Sequence, residues 1–252
     1  MAFDHPAFAP YACLLDAFGR SADLPDIGTL NRLARHARLA LPDGTSLRFE
    51  AAGAQRKSAL DYERRIASGV VEVRGRNAHD VANALVWLAF PRLKSALNAI
   101  HVRDGHAPTA NGRSRARDTA TLIDEAGLLF VCADQELVGM LRAWRWRELF
   151  WARRDAVANR IRAIVVGHGL LDKLRAPYRA LTAQALVIDV AASDTEATRM
   201  ERIDAAAART VGDPRFGPRC ITPLPIAALP GWDSEALGER LFDDRAVFRI
   251  KR

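Results

Sequence analysis

The chain has 252 residues, of which 49% are hydrophobic and 27% are charged, and its formal net charge is +7. This length sits at the upper end of single-domain size, and the composition can bury a substantial core, so we expect one globular domain over residues 1–252. The longest apolar runs are far shorter than the roughly 20 residues that cross a bilayer, which argues against a membrane-spanning helix.

The N-terminal segment and the cysteines indicate a cytoplasmic protein. The first twenty residues contain an acidic residue and two prolines, where a signal peptide has a basic region and an unbroken apolar run. Cys13, Cys132 and Cys220 lie far apart without a CxxC pair, so neither a disulfide framework nor a thiolate zinc site is indicated. The basic balance favours anionic partners, which include small molecules and nucleic acid.

The first hundred residues predict helices with one short strand. Leu30, Leu33 and Ala37 recur at helical spacing, residues 46–51 are extended, and residues 62–67 form another helix. Residues 77–101 then predict two helices divided at a proline that suits the first turn of the second. Their polar residues are His79, Asp80 and Asn83 on the first helix and Lys94, Asn98 and His101 on the second. An ordinary amphipathic pair with hydrogen bonds at its edge is the alternative to a shared site.

The middle of the chain predicts a loop and a hairpin. Residues 102–117 are polar, without an apolar period, and loops of that length are usually functional or mobile. The β-friendly runs 119–124 and 128–133 are joined through Glu125-Ala126-Gly127, which predicts a hairpin near 119–133.

The remainder predicts further helices and strands before an irregular tail. Asp134 can cap a helix from Gln135, on which Leu137, Leu141, Trp144 and Trp151 share one stripe if it runs unbroken. The later predicted elements are a strand over 161–166, a short helix over 170–175, a strand over 186–190, a helix over 196–209 and an irregular Pro/Gly-rich segment from about 211. The predicted fold class is therefore α+β, helix-rich, with a small central sheet that includes the hairpin.

A polar site shared by the two central helices, the loop and the hairpin is the first candidate for chemistry. Imidazole beside carboxylate suits general acid–base catalysis, because the carboxylate fixes the tautomer and raises the basicity of the ring. The candidate catalytic residues are His79, His101, Asp118, Asp124 and Glu125, and the candidate ligand-binding residues are Asp80, Asn83, Lys94, Asn98, Arg115, Arg117 and His168. The same groups could hold a divalent metal, although no HExxH or other compact ligand signature is present.

Two other segments have a functional and a structural interpretation. VVGHGLLDKL could present backbone N–H groups to a phosphate near Lys173, yet it lacks the third glycine of the dinucleotide fingerprint. Tight packing between strand and helix, with His168 hydrogen-bonded nearby, explains its glycines better. Residues 142–162 interleave arginines with tryptophans, as proteins that bind unpaired nucleic acid do. Core tryptophans beneath a solvated basic surface are the alternative.

Several longer pieces of the chain resemble the bacterial family named domain of unknown function 3025. These pieces are HDVANALVWLAFPRLKSALNAIH, RSRARDTATLIDEAG, ELFWARR, VVGHGLLDKLRAPY, LTAQAL and the terminal PLPIAALPGWDSE with LFDDRAVFR. They extend from about residue 77 to the end, and nothing is carried onto the first 70 residues. The resemblance implies a bacterial, cytoplasmic protein, and it implies no reaction. Because the shared pieces are rich in His, Asp, Asn and Arg, the resemblance favours a common polar site over scattered structural roles.

Three functional hypotheses follow. The leading one is a polar His/Asp/Arg pocket that binds an anionic small molecule, with hydrolytic chemistry and a divalent metal as further expectations. The second is a nucleic-acid-binding protein that uses residues 142–162, for which we expect binding that weakens steeply with salt. The third is a non-catalytic interaction module.

Overall fold

The computed structural model describes residues 3–18, 24–53, 58–75, 77–105, 114–190, 196–232 and 238–251. The α-helices within these ranges are α1 (Ala12–Ala17), α2 (Ile27–His36), α3 (Ala59–Ala67), α4 (Ala78–Ala89), α5 (Pro91–Gly105), α6 (Arg115–Ala126), α7 (Gln135–Arg142), α8 (Arg154–Arg160), α9 (His168–Lys173) and α10 (Glu196–Gly212). Short 3₁₀ helices cover Pro6–Tyr11, Pro218–Cys220, Ile226–Ala228 and Gly238–Asp243, and a π-helical turn covers Glu148–Ala152.

The strands form two small sheets, so the predicted helix-rich α+β class is confirmed. Their bounds are β1 (Arg48–Ala51), β2 (Val70–Val73), β3 (Gly127–Val131), β4 (Arg162–Val165), β5 (Thr182–Ile188) and β6 (Ile221–Pro225). The parallel pair β1–β2 is one sheet, and the other has the order β4-β3-β5-β6. In the larger sheet β3 runs parallel to β5 and antiparallel to β4, and β6 is antiparallel to β5.

The two central helices are confirmed, and they divide at Pro91 as predicted. Residues 81–88 of α4 are all buried, because one side of the helix packs into the main core and the other into a second cluster around Leu30, Phe49 and Val71. The start of α5 is held by Asp204 of α10, whose carboxylate accepts hydrogen bonds from the backbone N–H groups of Arg92 and Leu93. Burial raises the pKa of Asp204 to about 6.

The predicted hairpin near 119–133 is wrong. Residues 115–126 form α6, and only residues 127–131 form a strand, whose partners are β4 and β5 rather than the preceding segment. The helix forms because Ala116, Ala120 and Ile123 recur at helical spacing and pack on the core. The hydroxyls of Thr119 and Thr121 donate to backbone carbonyls four residues earlier, which lets β-branched residues lie inside the helix.

Three further expectations differ from the structure. The predicted loop over 102–117 is shorter, because α5 continues to Gly105 and α6 begins at Arg115; residues 106–113 lie outside the described ranges. The helix that Asp134 caps ends at Arg142, and Trp144 follows with a positive φ of 57°, so the stripe to Trp151 is interrupted. The C-terminal segment predicted to be irregular contains strand β6.

The core is formed by both faces of the larger sheet. β3 is buried along its whole length, and the hydroxyl of Tyr11 reaches the same region, where it donates to the carbonyl of Val165 over 2.6 Å. Among the helices in the described ranges, none combines the length and the apolar character that crossing a bilayer requires.

Candidate functional site

A cavity of about 510 Å³ lies between α3, α4, α5, α6 and the start of α9. Ten of the residues that the sequence predicts for the site line this cavity: His79, Asp80, Asn83, Lys94, Asn98, His101, Arg117, Asp124, Glu125 and His168. The other two, Arg115 and Asp118, are exposed on α6 and do not line it. The fold therefore brings together most of the predicted set from four separate helices.

The N-terminal turn of α4 positions His79 and Asp80. The side chain of Asn77 caps this helix by accepting from the N–H of Asp80 over 3.0 Å. The Asp80 carboxylate accepts from the backbone and the guanidinium of Arg74, with distances of 2.7–2.8 Å. Burial opposes ionisation of Asp80, but these hydrogen bonds outweigh it and hold the pKa of the carboxyl below its usual range. Asp80 thus holds the N-terminus of α4 against the preceding Arg74.

Lys94 of α5 and Asp124 of α6 form an ion pair in the wall of the cavity. The Lys94 side chain is only 5% exposed, and its ammonium also lies 5.5 Å from the centroid of the Trp87 ring. Burial disfavours the charged form of Asp124, yet the adjacent Lys94 and His168 more than offset this and keep the pKa of Asp124 below its usual value. Asp124 is therefore a carboxylate at neutral pH, with one oxygen on Lys94.

The imidazole of His168 is placed between two carboxylates and a second imidazole. Its Nδ1 is 3.7 Å from Asp124 Oδ2, and its Nε2 is 3.6 Å from Glu125 Oε1. The His79 ring lies edge-on to it, with 4.5 Å between ring centroids. Burial is the largest influence on His168 and lowers its pKa, so the ring is neutral at pH 7. A neutral imidazole can accept a proton or bind a metal.

His79, Glu125 and His168 form the group that could hold a metal ion. Each offers one ligand atom, and these atoms lie within 4.8 Å of one another. Sequence reasoning gave no compact metal signature, because the three residues come from three helices that only the folded chain brings together.

The two glycines that flank His168 allow the backbone and a carboxylate to approach closely. A Cβ on Gly167 would lie 2.6 Å from two backbone carbons of Ala126, and one on Gly169 would overlap Glu125 Oε2. The Gly-His-Gly turn therefore has the packing role that the sequence left open, and it also leaves room for the Glu125 carboxylate beside His168.

Sequence reasoning missed Tyr62 and Glu63, which α3 contributes to the cavity. The amide of Asn98 donates to the backbone carbonyl of Glu63 over 2.9 Å and to its Oε2 over 2.7 Å. Asn83 donates to the Tyr62 hydroxyl over 3.3 Å. The sequence predicts helix α3, but no local pattern shows that α3 packs against α5, because the two helices meet only in the folded protein.

The carboxyl of Glu63, also in the cavity wall, has a pKa displaced toward neutrality. Burial is the main cause, and the Asp124 charge adds to it, so the pKa rises to about 7 although Asn98, Lys94 and Arg117 favour the ionised form. Glu63 therefore exchanges its proton close to neutral pH, where a general acid or base is most effective.

The raised pKa of Glu63 predicts a pH-dependent effect on stability. Between pH 5 and pH 8 the unfolded chain carries an ionised Glu63, whereas the folded protein loses this proton only as the pH passes about 7. Glu63 thus stabilises the fold at low pH, and that contribution is lost as the pH rises. We therefore expect the free energy of unfolding of Glu63→Gln, relative to that of the parent, to increase by about 2 kcal/mol when the pH is raised from 5 to 8.

Urea unfolding of both proteins at pH 5 and pH 8 measures this difference. Glu201→Gln is the control, because Glu201 is exposed on α10 and its ion pair with the exposed Arg92 lies at the surface. Equal stability differences between Glu63→Gln and the parent at the two pH values would contradict the prediction.

The basic aromatic segment 142–162 is largely occupied by internal contacts. Trp146 is buried and donates to the carbonyl of Arg249 over 2.9 Å, and Trp144 stacks on it. Ion pairs join Arg145 to Glu148, Arg147 to Asp243, Arg153 to Glu136 and Arg160 to Asp134. These contacts agree with the interpretation of core tryptophans beneath a charged surface.

Comparison with known proteins places the chain in a family. The model of the family described as protein of unknown function (DUF3025) matches residues 47–252, a range that contains every residue of the cavity. Neither the comparison with curated proteins nor that with solved structures gives a significant match. Since the family model covers most of the chain and agrees with the resemblance of its polar segments, the protein belongs to the DUF3025 family.

Proposed function

We propose that the cavity is a catalytic pocket that binds a small anionic molecule and hydrolyses it. A volume of about 510 Å³ lies within the range of pockets that enclose small molecules. The pocket has polar groups on five helices, which allows a ligand to be held from several directions.

The observation that carries this proposal is a pair of buried polar atoms on the cavity wall. Among the described residues, the indole N–H of Trp87 and the side-chain oxygen of Asn83 have no hydrogen-bond partner, although Trp87 is 1% and Asn83 8% exposed. Buried polar groups are almost always satisfied, and one left unsatisfied costs about 1–3 kcal/mol. A ligand that accepts from Trp87 and donates to Asn83 would satisfy both.

The charges of the wall support separate roles in binding and catalysis. Arg117 and Lys94 act on the same region of the cavity, because both influence the Glu63 carboxyl. We assign the anionic group of the ligand to Arg117, and proton transfer to Glu63 with His101 on the neighbouring wall. In hydrolysis such a group takes a proton from water or gives one to the leaving group.

A binding screen of phosphorylated and carboxylated metabolites by thermal shift, followed by calorimetry, tests the proposal. We expect Arg117→Gln to weaken binding of an identified ligand at least about tenfold, because a charge-assisted hydrogen bond contributes about 1.5–3 kcal/mol. Arg115→Gln is the matched control: it is two residues away on α6, exposed and outside the cavity.

Trp87→Phe removes only the indole N–H and part of the ring, and we expect it to weaken the same ligand. Binding that both cavity variants leave within about twofold of the parent would contradict the proposal, as would a panel without any ligand.

A further inference from the structure

We infer that His79, Glu125 and His168 bind one divalent transition-metal ion and that zinc serves the hydrolytic reaction. This inference rests on the proposed function and adds the cofactor of the same cavity. Two imidazoles and one carboxylate are the donor set of catalytic zinc sites that keep a fourth position for water or substrate. All three residues line the cavity, so the fourth position opens toward the ligand.

The distances among the donors fit a small ion. His168 Nε2 and Glu125 Oε1 are 3.6 Å apart, close to the separation of about 3.4 Å between two ligands of a tetrahedral ion with bonds near 2.1 Å. All three ligand atoms lie within 4.8 Å of one another, and the side chain of Glu125 is 51% exposed, so its rotamer can adjust to an ion. His79 already contacts the His168 ring.

The surroundings of His168 provide the second observation. Its Nδ1 is buried and has no hydrogen-bond partner among the described residues, and the carboxylate oxygen Asp124 Oδ2 lies 3.7 Å from it. Histidines that bind metals nearly always donate their other ring N–H to a carboxylate, which orients the ring and increases its basicity. Asp124 is held for this role by Lys94, and a shift of at least about 0.5 Å on metal binding would complete the hydrogen bond.

The charge balance of the cavity also favours a cation. Among the described residues that line it, five carboxyl groups face three lysine or arginine side chains. Glu63 is only partly ionised near neutral pH, so the net charge lies between −1 and −2 when the histidines are counted as neutral. One divalent ion offsets this excess of negative charge and leaves Arg117 to bind the anionic group of the ligand.

The position of the Glu125 carboxylate beside His168 requires a glycine at residue 169. Any larger residue there would displace the Glu125 carboxylate from His168, since a Cβ would overlap Glu125 Oε2. The overlapping atom is the end of a flexible side chain, and the next contact, the backbone carbonyl oxygen of Glu125 at 3.1 Å, requires only a small shift. Gly169→Ala should therefore change metal affinity more than stability.

The test is zinc binding to chelator-treated full-length protein by calorimetry, with metal content measured by mass spectrometry. We expect one ion per chain, and a loss of at least about 100-fold in affinity for Glu125→Ala and His168→Ala. Asp124→Asn and Gly169→Ala should lose about 10–100-fold. His36→Ala and Asp118→Asn, both exposed and outside the cavity, are the controls and should bind as the parent does.

Cobalt provides an independent readout, because tetrahedral Co²⁺ absorbs visible light strongly and the band should disappear in Glu125→Ala. This variant changes an exposed side chain and keeps the fold, so the test does not depend on the buried His168. Binding that all four site variants leave unchanged would overturn the inference, as would the absence of any zinc binding tighter than about 10 µM.

The two proposals fail separately. A protein that binds an anionic ligand through Arg117 but no zinc would overturn the metal site and leave the pocket. A protein that binds zinc at these residues but no anionic molecule would overturn the proposed function, and with it the hydrolytic role of the zinc, but would leave the metal site.

Discussion

Replacing Gly167 by alanine is expected to destabilise the protein by about 3 kcal/mol, with the fold otherwise retained. Its φ of −73° suits any residue, so the effect comes from space alone. A Cβ would lie 2.6 Å from the backbone of Ala126 and nearer still to the N–H of Gly127. Neither neighbour can move, because β3 is fully buried and the N–H of Gly167 donates to the carbonyl of Gly127 over 2.9 Å.

Urea unfolding of Gly167→Ala beside Gly139→Ala measures this effect. Gly139 is exposed in the middle of α7, and a Cβ there would meet nothing within 4 Å. We expect Gly139→Ala to stabilise the protein by about 0.5–1 kcal/mol through the higher helix propensity of alanine. If the free energy of unfolding of Gly167→Ala were within about 0.5 kcal/mol of that of the parent, the backbone at Gly167 could move away from Ala126 and Gly127, and the prediction would be wrong.

Lys94→Met is expected to destabilise the chelator-treated protein by about 3–5 kcal/mol, because it removes the cation of a buried ion pair and leaves the Asp124 carboxylate uncompensated. Methionine has a similar length and keeps the contact with Trp87, so the loss reports on the charge. Adding Asp124→Asn removes the stranded carboxylate and should recover more than half of the loss.

Arg92→Met on the same helix is the control for this pair. Arg92 pairs with Glu201, but both side chains are more than half exposed, and exposed ion pairs contribute about 0–1 kcal/mol. Chemical unfolding of the four proteins gives the comparison. If Lys94→Met were no more harmful than Arg92→Met, or if the double variant were as unstable as the single one, the buried pair would not have the assigned role.

Local patterns were sufficient where one segment determines its own structure. The division of the central helices at Pro91, the cap at Asp134 and the buried strand before the Gly-His-Gly turn were all predicted and are confirmed. Each depends on a residue with a fixed backbone preference or on an apolar run bounded by turn residues.

Local patterns failed where a segment suits two structures. Residues 119–124 have the β-branched character of a strand, yet they form part of α6 because Ala120 and Ile123 face the core from a helix. The same error explains why Arg115 and Asp118 were placed in the site with Arg117. On a helix these residues point in different directions, and of the three only Arg117 lines the cavity.

The amino-acid sequence by itself determined which segments carry polar chemistry, and its resemblance to DUF3025 agrees with the family match. Only the tertiary structure decided that Glu63 and Tyr62 belong to the cavity, that Asp124 is paired with Lys94, and that His79, Glu125 and His168 come within reach of one ion. The physical reason is that the charges and pKa values of these groups depend on neighbours far away in the sequence, such as Lys94 and Asp124, which are 30 positions apart. Periodicity and capping patterns in a sequence report only on residues that are within a few positions of one another.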